Sequence, residues 1–303
     1  MATVAAGQAA VPAAQAATRR QGSPRSIGRL LDRWALPTFT VLAIGYLLVP
    51  IAVMIAFSFN DYQGKFNYIW HGFTLEAWLH PLDWPGLPQS LTNSLLIAFV
   101  ATILATVLGT MIGLALSRYS FRGRGAINGL IVLPMATPEI VMGSSLLTLF
   151  VSTALPPLDG VVPKGVFFPL GLQTILIAHI MFNISYVVVT VKARLAGFDR
   201  HLEEAAMDLG ADEWTTFRKV TFPLILPGVL AAGLLAFSLS IDDFVITNFV
   251  SGTTNTFPIW VWGIIKNALP AQINVIGSII FLVAVGSVAV TTLLQGRSPR
   301  FAR

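Results

Sequence analysis

The chain has 303 residues, of which 55% are apolar and 11% charged; the mean hydropathy is +0.74 and the net charge +5. A soluble domain carries about 25% charged residues, so this composition excludes a water-soluble globule and a disordered chain. With no Cys, a disulfide-built secreted scaffold is excluded as well.

Residues 1–35 open the chain as a tail. Positions 1–17 are Ala-rich and carry no charge, and Arg19, Arg20, Arg25, Arg29 and Arg33 follow. The first apolar run starts too late and is too long for a cleaved signal peptide, so it reads as a retained span. A membrane helix needs about 20 largely apolar residues. Six runs qualify, at roughly 36–59, 91–116, 127–154, 171–191, 224–248 and 272–294. The second contains Gly109-x3-Gly113, which would let another helix approach closely, from this chain or from a partner. The third contains Pro134 and Pro138, followed by Glu139. Each proline removes a backbone donor, so a kink or tilt is expected there.

Between the fourth and fifth runs lies 198–228, the only sizeable non-membrane piece on its side. Phe198, Leu202, Ala205, Ala206 and Leu209 form one apolar stripe at helical spacing, with Glu203, Glu204 and Asp208 on other faces. Gly210 suits a left-handed helix end, and Asp212 offers an N-cap for a second short helix carrying Trp214, Phe217 and Val220. The stripe needs a cover, from a neighbouring protein or from this chain's own helix ends.

The fifth run carries Asp242 and Asp243 about two-thirds along its length. With Glu139 they are the three carboxylates inside spans. An Asp at mid-bilayer costs roughly 2.5–3.5 kcal/mol on insertion scales, so each has a reason to be there. Asp242 stacks with Ser238 and Asp243 with Thr247 at i, i+4. The three acids either border a path for a cationic solute, or hydrogen-bond helix ends and partner helices.

The charges orient the bundle. Segments 1–35, 117–126, 192–223 and 295–303 hold 16 of the 19 Lys and Arg, leaving Lys65, Lys164 and Lys266 opposite. The positive-inside rule puts the first set, and both termini, in the cytoplasm. The basic excess is thus a topology signal, and nucleic-acid binding is not expected. Trp70, Trp78, Trp84, Trp260 and Trp262 fall at the outer side, as an aromatic belt or as a docking surface. Loop 60–90 is long enough for a short surface helix. No G-x4-G-K-[ST] occurs, since Gly64-Lys65 is followed by Phe66, so no ATPase site is expected. His71, His80, His179 and His201 lack metal-ligand spacing. No metal, cofactor site or catalytic residue is therefore expected, and His179 reads as a packed or hydrogen-bonded residue.

Glu204-Ala205-Ala206, Gly210 and Val220-x-Phe222-Pro223 resemble the EAA loop, E-A-A-x3-G-x9-I-x-L-P, of permease subunits in binding-protein-dependent ABC importers. Val220 and Phe222 replace the usual Ile and Leu. The resemblance covers about residues 36–294. It implies an all-α, polytopic membrane protein of six transmembrane helices with the type I ABC importer permease fold. The segment 192–223 would contain the coupling loop, with Glu204, Ala205, Ala206, Asp208, Leu209 and Gly210 meeting the ATPase subunit. The stretch from Ser238 to Thr247, together with Leu133-Pro134-x3-Pro138-Glu139-Ile140 and Phe257-Pro258, is similar to the second permease subunit of spermidine/putrescine importers.

From the resemblance follow a second permease subunit, two ATP-binding subunits that bind ATP and Mg, an extracytoplasmic solute-binding protein and a bacterial inner-membrane location. Asp242, Asp243 and Glu139 become candidates for the substrate pathway. Other readings are a permease of the same architecture for ferric iron, thiosulfate or an aminophosphonate, and an ion-coupled secondary transporter.

Overall fold

The structure is a computed structural model. It describes residues 27–153 and 169–296, with side chains over 34–152 and 169–286. The ends of both predicted tails (1–26 and 297–303) and Lys164 lie outside the described residues. Two units are formed, Met1–Val53 and Met54–Arg303. Among the described residues all regular structure is helical, apart from two isolated bridges, Asn60 to Phe73 and Phe66 to Leu269.

In the first unit, helix α1 (Ile27–Phe57) starts nine residues before the predicted span, and its last turn runs into the second unit. Its side chains over 34–53 are nearly all exposed, as expected of a helix solvated by lipid.

The second unit opens with a loop organised by one buried amide. Asn60 Nδ2 donates to Asn67 Oδ1 (2.6 Å) and to Ile69 O (2.7 Å), while Asn60 Oδ1 accepts from His71 N (2.8 Å). The expected short surface helix is α2 (Glu76–Leu79). The outer tryptophans divide. Trp78 donates to Ser58 Oγ and stacks on Phe59, and Trp260 donates to Pro85 O and packs on Leu87. Trp84 joins that second cluster. Trp70 and Trp262 stay about half exposed.

Helices α3 (Leu87–Arg118), α6 (Leu172–Ala196) and α9 (Phe222–Ile241) form the packed centre. Val187 and Val191 of α6 meet Ala232 and Ala236 of α9. The Gly109-x3-Gly113 pair faces α6: a Cβ on Gly109 would stand 2.6 Å from Val187 Cγ1, and one on Gly113 3.3 Å from Val191 Cγ1. The two glycines therefore serve packing within the chain.

The third predicted span is two helices, α4 (Arg124–Ala136) and α5 (Glu139–Thr153), bent by 108° over Arg124–Ser152. A proline disfavours helical backbone in the residue before it, and Thr137, ahead of Pro138, is extended (φ −82°, ψ 131°). The expected kink is thus a complete break. The fifth predicted span also breaks. Helix α9 stops at Ile241, Asp242 is its C-cap, and α10 (Val245–Val250) follows. Helix α10 joins α3, α5 and α6 in a second apolar core around Ile97, Leu146, Ile175 and Ile246. Helix α11 (Phe257–Ile264) is an element that hydropathy did not reveal, and α12 (Ala271–Gly296) closes the described chain.

Among the described residues, four helices are long and apolar enough to cross a membrane: Trp34–Phe57, Leu87–Arg118, Leu172–Ala196 and Glu213–Ile241. The bent pair makes five if it counts as one span.

Candidate functional site

The loop after α6 folds into α7 (His201–Asp208), α8 (Glu213–Thr216) and a π-helical turn, Phe217–Thr221, that runs directly into α9. Asp199 starts it: its Oδ1 accepts from His201 N (3.0 Å) and pairs with His201 Nδ1 (2.7 Å). That contact lowers the Asp199 carboxyl below its ordinary range and raises the His201 imidazole. Helix α7 ends at Gly210, where φ is +88°. A Cβ there would meet nothing within 4 Å, so the demand for glycine is conformational and not steric. Asp212 Oδ1 then caps α8 through Thr215 N (2.9 Å), which lowers the Asp212 carboxyl.

The predicted coupling residues lie on this open hairpin. Glu204, Ala205 and Asp208 are exposed, Ala206 is half-buried, and Leu209 is 89% exposed. Leu202 and Trp214 are exposed too. The chain's own helix ends therefore leave the apolar stripe at Leu202, Ala205 and Leu209 uncovered.

The face of α7 that turns inward carries Glu203 instead. Glu203 Oε1 accepts from Arg118 Nη2, in the last turn of α3, and from Thr221 Oγ1, in the π-helical turn. Arg200 Nη2 adds a bond to Ser117 O (2.9 Å). One buried carboxylate thus ties the hairpin to α3 and to the root of α9. Sequence reading passed over Glu203 because it falls off the apolar stripe, and its partner Arg118 is 85 residues away. No local sequence signal marks it, because the inward face of α7 is set by the tertiary contact with α3.

In the bundle the three acids differ. Asp243 is sequestered, with its side chain 6% exposed. Its Oδ2 accepts from Thr247 N (2.8 Å) and Thr247 Oγ1 (2.6 Å), as the i, i+4 spacing suggested, and lies 3.4 Å from His179 Nε2. His179 Nε2 is 2.8 Å from Thr247 Oγ1, and its Nδ1 is bonded to Ser240 Oγ. Thr247 has one hydroxyl proton and gives it to Asp243. Its oxygen is then free to accept from His179 Nε2, while Nδ1 is hydrogen-bonded to Ser240 Oγ. The imidazole works as a structural bridge, and Asp243 holds the first turn of α10.

Asp242, by contrast, is exposed. It borders a cavity of about 350 Å³ with Phe244, Phe257 and Trp262, and Asp243 is not among the residues lining it. Glu139 is exposed at the first position of α5, where the helix dipole favours a negative charge.

Residues 105–302, which include this hairpin and the α9–α10 break, match the family described as binding-protein-dependent transport system inner membrane components. The chain belongs to that family. As a permease component of this kind it is a multi-pass inner-membrane transport protein. Its similarity to individual relatives extends further. It is 35% identical over 261 residues to the spermidine/putrescine transport system permease protein PotC of Haemophilus influenzae, covering 86% of this chain and 96% of that one. It is 35% identical to PotC of Escherichia coli K12 over 269 residues (88% and 95%) and to the putrescine transport system permease protein PotI of the same strain over 252 residues (82% and 85%). Among solved structures, a chain of a bacterial ABC transporter that imports the acidic polysaccharide alginate superposes with a TM-score of 0.65 at 14% identity, covering 91% of this chain and 99% of that one. That likeness confirms the permease fold, and at this identity concerns the fold alone.

Proposed function

We propose that this permease subunit imports polyamines, spermidine or putrescine, as one half of the path of an ATP-driven importer. The observation that carries the reading is Asp242. It stands exposed at a helix break, on a cavity lined by Phe244, Phe257 and Trp262 among aliphatic side chains, and a carboxylate beside ring faces complements a solute made of ammonium groups and methylenes. One ammonium already uses such a face, since Lys266 Nζ sits 5.4 Å from the Trp262 ring centroid. The 35% identity to polyamine permeases supports the same solute.

In this reading the chain crosses the membrane six times, counting the bent pair once and α12 as the last span, with both termini cytoplasmic. A second permease completes the path, and a binding protein delivers solute from outside. The α7–α8 hairpin docks on a separate subunit that binds ATP and Mg and hydrolyses the ATP. The bare stripe at Leu202, Ala205 and Leu209 supplies the apolar contact, and Glu203 passes the displacement to α3 and α9. The experiment is uptake of labelled spermidine and putrescine by cells deleted for the chain and complemented with it. Restored polyamine uptake supports the reading. Rescue of ferric iron, thiosulfate or aminophosphonate uptake with no polyamine flux overturns it.

A further inference from the structure

The cytoplasmic ends of α3, α4 and α6 enclose a concavity of about 430 Å³ that the transport reading does not use. Arg118, Arg124, Lys192 and Arg200 line it, with Leu195 and Phe198 beside them, and no carboxylate does. Arg118 is matched by Glu203. Among the described residues, Arg124, Lys192 and Arg200 have no acidic partner: Lys192 Nζ bonds the neutral Asn128 Oδ1 and Arg200 bonds the Ser117 carbonyl. Arg124 and Lys192 are moreover half-buried, where an uncompensated charge is costly. The positive-inside rule places basic residues on this side of the membrane. It does not make four cations from two chain segments more than 65 residues apart converge on one hollow without an acid.

We infer that this hollow binds a phosphate-bearing anion, the phosphodiester headgroup of an anionic lipid in the cytoplasmic leaflet. The inference rests on the orientation proposed above. A phosphodiester offers several acceptor oxygens to guanidinium and ammonium donors, and basic pockets between transmembrane helices on this side suit such headgroups. Two features favour a lipid over free phosphate. The hollow lies at the ends of apolar helices, where the proposed topology puts the lipid headgroups. Beside it α4 has no buried residue, and Ile127, Leu130 and Leu133 expose an apolar strip along which an acyl chain can lie.

The test uses the assembled importer, delipidated and then offered mixed vesicles of phosphatidylglycerol and phosphatidylcholine, with retained lipid read by native mass spectrometry. The wild type should retain phosphatidylglycerol selectively. The Arg124→Gln/Lys192→Gln double variant should lose roughly 25-fold in retention, about fivefold per surface cation, and Arg124→Lys should keep it. If the double variant does not assemble, each single variant must show a partial loss. Equal retention by wild type and variants overturns the proposal. So does displacement of the lipid by inorganic phosphate at physiological concentration. The proposal also fails if the variants shed the ATPase subunit while lipid retention is unchanged, for then the hollow meets an acidic side chain of that partner. None of these readouts depends on which solute is carried, so failure of the polyamine reading would leave them intact.

Discussion

At Asp243 one carboxylate oxygen accepts from the Thr247 amide and hydroxyl and stands beside His179, while the neighbouring Asp242 faces a cavity. Substitution should separate the two. Asp243→Ala leaves buried donors unmet and should cost about 1–3 kcal/mol, seen as a lower unfolding temperature of the purified importer. Asp242→Asn should stay within about 0.5 kcal/mol of wild type yet reduce uptake of spermidine. Unchanged uptake by Asp242→Asn would remove it from the path. A similar contrast holds on the hairpin. Glu203→Gln strips a buried charge that is matched by Arg118 and should lower stability by about 1–3 kcal/mol, whereas Glu204→Gln, on the exposed face, should change it by less than about 0.5 kcal/mol. Thermal unfolding of the two variants side by side checks this, and equal effects would contradict the tie assigned to Glu203.

At the scale of elements, the close approach of α3 and α6 depends on Gly109. The Val187 atoms that a new methyl would meet, Cβ and Cγ1, belong to a stiff, buried side chain. Gly109→Ala should therefore cost roughly 1–3 kcal/mol by overpacking. Gly129→Ala, in α4 with open space around it, should be neutral or stabilise by up to about 1 kcal/mol. A neutral Gly109→Ala would refute the packing role. Hydropathy located α3 and α6 to within a few residues, because an uninterrupted apolar run has one solution in lipid. It missed the breaks at Thr137 and Asp242 because averaging over a window reads composition and not backbone geometry. Pro138 signalled the first break but not its 108° size. Helix α11, eight residues long, is too short to register as a span. Gly210 and Asp212 were legible because a left-handed helix end and an N-cap are local, whereas the bond from Glu203 to Arg118 depends on tertiary contact.

For the whole molecule, the distribution of basic residues along the sequence supports the proposed orientation, with both termini cytoplasmic. Because the chain contains no Cys, single cysteines report sidedness without background. Ser120→Cys, between α3 and α4, should react with an impermeant thiol reagent only from the cytoplasm, and Lys65→Cys, in the loop before α2, only from outside. The reverse pattern would invert the topology and with it the coupling role of the α7–α8 hairpin. In the proposed function this bundle is a passive half-channel moved by partners. Its most direct test is uptake of labelled spermidine into proteoliposomes holding this chain, the second permease, the ATPase and the binding protein. ATP-dependent uptake that disappears when any one component is left out is the expected result of the proposed function. Uptake by this chain alone, driven by an ion gradient without ATP, would contradict it.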